Sequence, residues 1–153
     1  MSFELIEERR GEFVISTDPA RLDLDVIHDF LNNCYWAKSI PRDVVARSIE
    51  HSLCFGIYDV SGAQVGFARV VSDFTTVAYL GDVFIVESHR GQGLSKWMIE
   101  CVMEHPALQN LRRWILLTRD AHELYSRFGF TPLQSPQRYM ELHNADIYER
   151  RLL

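Results

Sequence analysis

A chain of 153 residues, 47% hydrophobic and 24% charged, has the size and composition of one globular domain, so a single domain over residues 1–153 is expected. Its 16 Lys+Arg against 21 Asp+Glu leave a net charge of −5. That balance argues against a general binder of nucleic acid or anionic membrane, because phosphate binding needs clustered positive charge. No apolar run approaches the roughly 18 residues of a spanning helix, and the acidic start Phe3-Glu4-Leu5-Ile6-Glu7-Glu8 lacks the basic and apolar parts of a signal peptide. A cytoplasmic location is expected. Cys34, Cys54 and Cys101 are widely spaced and without a CxxC pair, which reads as buried thiols rather than a disulfide frame or a metal site.

Along the chain, Glu12 to Ser16 reads as a short strand ending at the turn Thr17-Asp18-Pro19. Leu24, Ile27, Phe30 and Leu31 then fall at helix spacing, and a second helix is expected to begin at Pro41 with Val44, Val45, Ser48 and Ile49 as its inner stripe. Leu53 to Val60 and Gln64 to Val71 flank Ser61-Gly62-Ala63 as an antiparallel hairpin. Strict alternation in its second strand puts Val65, Phe67, Arg69 and Val71 on one face, with Gly66, Ala68 and Val70 on the other. Val77 to Val86 is apolar almost throughout, the pattern of a strand covered on both faces. From Leu94 the period changes, and Trp97, Met98, Cys101 and Val102 form the stripe of an amphipathic helix. Trp114 to Leu117 is a further buried strand, Ala121 to Phe128 a short helix closed by Gly129, and Gln137 to Leu142 a last strand. The order predicts a mixed α/β layered domain.

The segment joining the apolar strand to the long helix carries the most chemical information. In Arg90-Gly91-Gln92-Gly93-Leu94-Ser95, two glycines let the backbone turn tightly and keep side chains off the first helical turn. Free N–H groups and the positive end of the helix dipole make an anion site there, to which Arg90 adds a charge and Ser95 a hydroxyl. A phosphate or pyrophosphate is the natural occupant. The dinucleotide pattern G-x-G-x-x-G fails because Lys96 stands at its third glycine, and no Gly-Lys-Ser/Thr exists for a nucleoside-triphosphate loop.

The same residues resemble the coenzyme A pyrophosphate loop, Gln/Arg-x-x-Gly-x-Gly/Ala, of the GNAT N-acetyltransferase superfamily. Downstream, Thr118 to Phe130 resembles that superfamily's N-x-x-A-x-x-L-Y-x-x-x-G-F motif, matching at Ala121, Leu124-Tyr125 and Gly129-Phe130. Three positions depart from the pattern: Ser95 for Gly or Ala, Thr118 for Asn, and Glu87 for Pro. The resemblance implies a central, mostly antiparallel sheet of six or seven strands with splayed central strands and helices on both faces. It implies an acetyl-CoA-dependent N-acetyltransferase that acts on a primary amine by direct attack in a ternary complex, with a small-molecule acceptor favoured. A protein N-terminus or lysine is the alternative acceptor, and a non-catalytic acyl-CoA-binding module the alternative class. No nucleic acid, membrane or metal is expected as a partner; a homodimer is left open.

By the same resemblance, the backbone at Ile85 and Val86 pairs with the pantetheine arm, and a strand N–H near Ile85 polarises the thioester carbonyl. Arg90, Gly91, Gln92, Gly93, Leu94 and Ser95 hold the pyrophosphate, and Thr118 faces the cofactor arm. Tyr35 and Trp36, in the connection between the first two helices, shape the acceptor pocket. Tyr125 is the candidate general acid for the departing thiolate, against the plainer reading of a packed aromatic. Asp82 interrupts an apolar strand, so it is either a general base or a strand-end carboxylate bonded to a neighbouring loop. Tyr79, placed by alternation on the opposite face from Asp82, is the second base candidate.

Overall fold

The computed structural model describes residues 3–150. Six strands form one sheet in sequence order: β1 (Glu7–Arg10), β2 (Phe13–Ser16), β3 (Leu53–Tyr58), β4 (Gln64–Ser72), β5 (Val77–Ile85) and β6 (Arg113–Leu116). All neighbours are antiparallel except β5 and β6, which run parallel. Helices α1 (Leu24–Asn33) and α2 (Arg42–Glu50) separate β2 from β3, and α3 (Leu94–Glu104) separates β5 from β6. The short helices α4 (His122–Ser126) and α5 (Ile147–Arg150) follow. No helix among the described residues is long and apolar enough to cross a membrane.

The alternation of the strands sorts the core into two layers. Phe55 and Ile57 of β3, Ala68 and Val70 of β4, and Ala78 and Leu80 of β5 meet Trp97, Met98, Cys101 and Val102 of α3 on one face. On the other, Cys54, Phe67 and Phe84 meet Ile27 and Leu31 of α1 and Val45 of α2. Helices therefore cover both faces. Asp23 caps α1 by accepting from the Asp25 and Val26 amides at 3.0 and 3.3 Å, which satisfies two of the donors that a helix start leaves free. Cys54 and Cys101 are buried free thiols, and Cys34 is half-buried.

Two irregularities overturn the strict alternation. Ile57 pairs with Gly66 but Tyr58 pairs with Gln64, so Val65 is an extra residue. That bulge turns Val65 to the α3 layer with Ala68 and Val70, away from Phe67. In β5, Phe84 pairs with Phe67 and Gly81 with Arg69, so Asp82 and Val83 together stand opposite Ala68. Asp82 takes a left-handed φ of 53° within this second bulge.

Three further differences concern strand bounds. β1 is a strand that the polar run Glu7-Glu8-Arg9-Arg10 conceals; it pairs with β2 across the Gly11-Glu12 turn. The strand expected over Trp114 to Leu117 is Arg113–Leu116, half-buried rather than buried, and Leu117 lies beyond its end and is exposed. Gln137 to Leu142 is not a strand. Pro136–Arg138 is a single turn of 3-10 helix, and Tyr139 to Leu142 have no sheet partner among the described residues.

Burial of ionisable groups makes stability fall in alkali. Desolvation is the largest cause pushing the Cys54 thiol up to about 12 and the Tyr58 and Tyr125 phenols each up to about 12. Each group stays neutral when folded after its unfolded counterpart has ionised. Its contribution is complete below the unfolded pKa and is lost as pH rises through the folded value. The thermal midpoint should hold up to about pH 9 and then drop steadily towards pH 12, as followed by circular dichroism.

Candidate active site

The parallel pairing of β5 with β6 covers only Val77–Leu80 against Arg113–Leu116. Beyond Leu80, β5 runs on to Ile85 while β6 ends, which leaves an open backbone edge and a cleft between the strands. The Val86 amide donates to the Val65 carbonyl at 2.9 Å, on the β4 side. The Ile85 carbonyl accepts from the Arg90 Nε at 3.0 Å. Because successive backbone groups point to opposite edges, the Ile85 amide faces the cleft, whereas the Val86 amide is already engaged.

That edge leads into the glycine loop. Gly91 and Gly93 have φ of 80° and 79°, and Gly93 is the residue before α3, with no side chain capping the helix. A Cβ built on either glycine meets nothing within 4 Å, so the space above the first turn of α3 is open. The amides of this turn have no acceptor within the helix and point into that space with the positive end of the dipole. Gln92 turns its side chain back to the His89 carbonyl, Leu94 is buried beneath the loop, and Ser95 is half-buried. A diphosphate and an extended amide chain fit this arrangement: an uncapped helix start, an exposed guanidinium and a free strand edge in continuous sequence.

Tyr125 of α4 is only 8% exposed, and among the described residues its hydroxyl makes no hydrogen bond. Burial, reinforced by the nearby Tyr35 and Tyr79 phenols, keeps it protonated far into alkali. Three tyrosines from three distant segments thus converge at the cleft. Thr118 Oγ1 accepts from the Ala121 amide at 2.9 Å, fixing the turn into α4.

Asp82 is held from two sides. Arg69 Nε donates to its Oδ2 at 2.8 Å, and Trp36 Nε1 donates to its Oδ1 at 3.1 Å. The extra residue of the β5 bulge cancels the expected alternation and places Asp82 near Tyr79 instead of across the sheet. The Tyr79 phenol is raised, by burial first and then by the Asp82 charge. Tyr35 packs edge-on to Trp36, with the Arg119 guanidinium 3.8 Å from the centre of its ring. The structure therefore gathers Tyr35, Trp36, Tyr79, Asp82 and Tyr125 in one place. Ile85 to Ser95 lie along the adjoining edge.

Arg69 and Arg119 are the two residues sequence reasoning missed. Arg69 had a signal, a lone cation in an apolar strand beside a strand with a lone anion; Arg119 had none. The Arg69 and Asp82 side chains are 18% and 13% exposed. Arg69→Met should strand a mostly buried carboxylate and destabilise the fold by about 3 kcal/mol in urea unfolding, with part of the loss recovered when Asp82→Leu is added.

Residues 50–132 match the pattern of the Acetyltransferase (GNAT) domain. A Gibberella zeae protein named as a candidate acetyltransferase is 35% identical over 140 residues, covering 77% of this chain and 78% of its own. The chain belongs to the GNAT acetyltransferase family. A crystal structure of a GNAT-family candidate acetyltransferase from Xanthomonas campestris pv. campestris is 52% identical, with a TM-score of 0.87 over 90% of this chain and 97% of that one. A Clostridium acetobutylicum structure, described as an acetyltransferase with acetyl-CoA, shares the fold at 13% identity and a TM-score of 0.57, over 80% of this chain and 92% of its own. GNAT enzymes use acetyl-CoA and an acceptor, and the open β5 edge and glycine loop of this GNAT chain have the form that such a donor needs.

Proposed function

We infer that this chain is an acetyl-CoA-dependent N-acetyltransferase that acts in the cytoplasm on a primary amine of a small molecule, by direct attack in a ternary complex. The observation that carries the reading is the continuity of three features: the β5 edge left open beyond Leu80, the uncapped start of α3, and the buried Tyr125 hydroxyl beside them, which has no hydrogen-bond partner among the described residues. When bound, acetyl-CoA supplies the activated acetyl group as a thioester.

The residues do the rest. Amides of Gly93, Leu94 and Ser95 and the Arg90 guanidinium hold the diphosphate, and the Ile85 amide donates to the arm lying along the strand. Holding the thioester beside a bound amine contributes up to roughly 7–11 kcal/mol in ideal cases. Tyr125 donates a hydrogen bond to the departing sulfur. Tyr35 and Trp36, 53% and 41% exposed, offer aromatic faces to the acceptor at the mouth of the cleft.

Of the two base candidates, Tyr79 is raised above the ordinary phenol range and stays protonated near neutrality, so it has no free site for another proton. Asp82 is an acceptor whose Oδ1 is freed by moving only the exposed Trp36, which makes it the better-placed of the two. Thiol release from acetyl-CoA, with products identified by mass spectrometry across an amine panel, tests the reading. Release with a small amine supports it; tight CoA binding without release from any amine or peptide would leave only a binding module.

A further inference from the structure

One positive charge at the mouth of the cleft is left without a counter-charge. Arg119 follows Thr118 in the loop between β6 and α4, a turn fixed by the Ala121 amide donating to the Thr118 hydroxyl. Its guanidinium carbon lies 3.8 Å from the centre of the Tyr35 ring. A stacked guanidinium spends its flat face on the ring and keeps its N–H donors, which lie in its plane, for another partner. Among the described residues those donors have no hydrogen bond or ion pair, and the neighbouring Asp120 does not pair with them.

The other charges of the cleft are already matched. Asp82 is paired with Arg69 at 2.8 Å, and the diphosphate has its own cation in Arg90, before the start of α3. Arg119 instead shares a ring with the reacting groups. Tyr35 packs on Trp36, whose Nε1 donates to Asp82, and it is near enough to Tyr125 to help hold the proton on that phenol. A planar fork held in place before binding loses little freedom on taking a carboxylate or a phosphate, the anions whose geometry it fits.

We propose that Arg119 binds an anionic group, a carboxylate or a phosphate, carried by the acceptor itself, so that the amine acetylated here has a tethered anion. The proposal rests on the N-acetyltransferase reading and narrows its acceptor. The amine goes to the Asp82 side and the anion to the Arg119 fork, so that one molecule spans the Tyr35–Trp36 pair.

Matched acceptors test it, with acetyl-CoA as donor and thiol release as the readout. ω-Amino acids and ω-aminoalkyl phosphates are compared with n-alkylamines over the same series of chain lengths. At the best length the charged member should exceed the alkylamine by about 30-fold in kcat/KM, chiefly through a lower KM, which is the scale of one charge-assisted hydrogen bond. The series with the larger ratio identifies the anion. Arg119→Met should bring the ratio close to unity, and Arg119→Glu should turn the preference towards the ω-diamine of the same length. The guanidinium is exposed and has no hydrogen bond to lose among the described residues, so both variants should keep the natural circular dichroism spectrum. A ratio near unity in the natural chain, or one that survives Arg119→Met, overturns the proposal. So does an equal loss of coenzyme A affinity in Arg119→Met, which would assign the guanidinium to the cofactor. These results leave the acetyltransferase reading standing, whereas thiol release with no amine at all removes both.

Discussion

Gly93→Val should abolish tight coenzyme A binding, weakening it by about 100-fold, or ~2.7 kcal/mol, in titration calorimetry. Gly93 sits at φ 79° just before α3, and its missing Cβ faces open space rather than protein. A β-branched residue is strained in this left-handed conformation by about 1–2 kcal/mol, and it relieves that strain by turning the first amides of α3 out of line. If it keeps the conformation, its methyl groups occupy the space in front of the same amides. Either route removes the anion site. Gly62→Val is the control, because Gly62 has φ 87° and equally open surroundings in the remote β3–β4 hairpin. It should lower the thermal midpoint to a similar extent and leave coenzyme A affinity unchanged. Equal losses of affinity in the two variants would reduce the Gly93 effect to general destabilisation, and normal affinity in Gly93→Val would remove the diphosphate from this loop.

The legible parts of this molecule are those in which one residue type has few physical alternatives. Gly91 and Gly93 take positive φ at a helix start, so two glycines one residue apart revealed the turn itself. The apolar stripe of Trp97, Met98, Cys101 and Val102 named the buried face of α3 because a helix with that spacing has nowhere else to put them. The bulges at Val65 and Asp82 left no trace, since an inserted residue changes neither composition nor local propensity. It only reverses which face later residues occupy, and that reversal is what brings Asp82 to Tyr79. β1 was hidden because its side chains are polar on both faces; besides its ion pair with Arg10, Glu8 is engaged there by the Trp97 and Cys101 donors, 89 and 93 residues away in sequence. Gln137 to Leu142 failed for the opposite reason. Alternation reports a capacity to pair, but the partner edge is a property of the whole fold.

Tyr125→Phe should lower kcat by about 100-fold or more while leaving the coenzyme A dissociation constant within a factor of two. The phenol lies 8% exposed at the cleft with no hydrogen bond to lose among the described residues, so the substitution strands no polar partner there and the fold should persist. Its displaced pKa decides how it acts. At about 12, Tyr125 is a weaker acid than a thiol of about 8.5, so complete transfer of its proton to a free thiolate is uphill. What it supplies is a hydrogen bond that strengthens as the sulfur gains charge, in a site shielded from water, with the proton returning to the phenol or passing on from solvent. The pH profile separates this role from ordinary acid catalysis. A phenol titrating near 10 would turn activity down from about pH 9; Tyr125, raised chiefly by burial, stays protonated there, and kcat should remain level to at least pH 10 in the natural enzyme. A fall below pH 9 that vanishes in Tyr125→Phe would show the proton leaving earlier than burial allows. Unchanged kcat in Tyr125→Phe would return this side chain to the role of a packed aromatic beside Phe130.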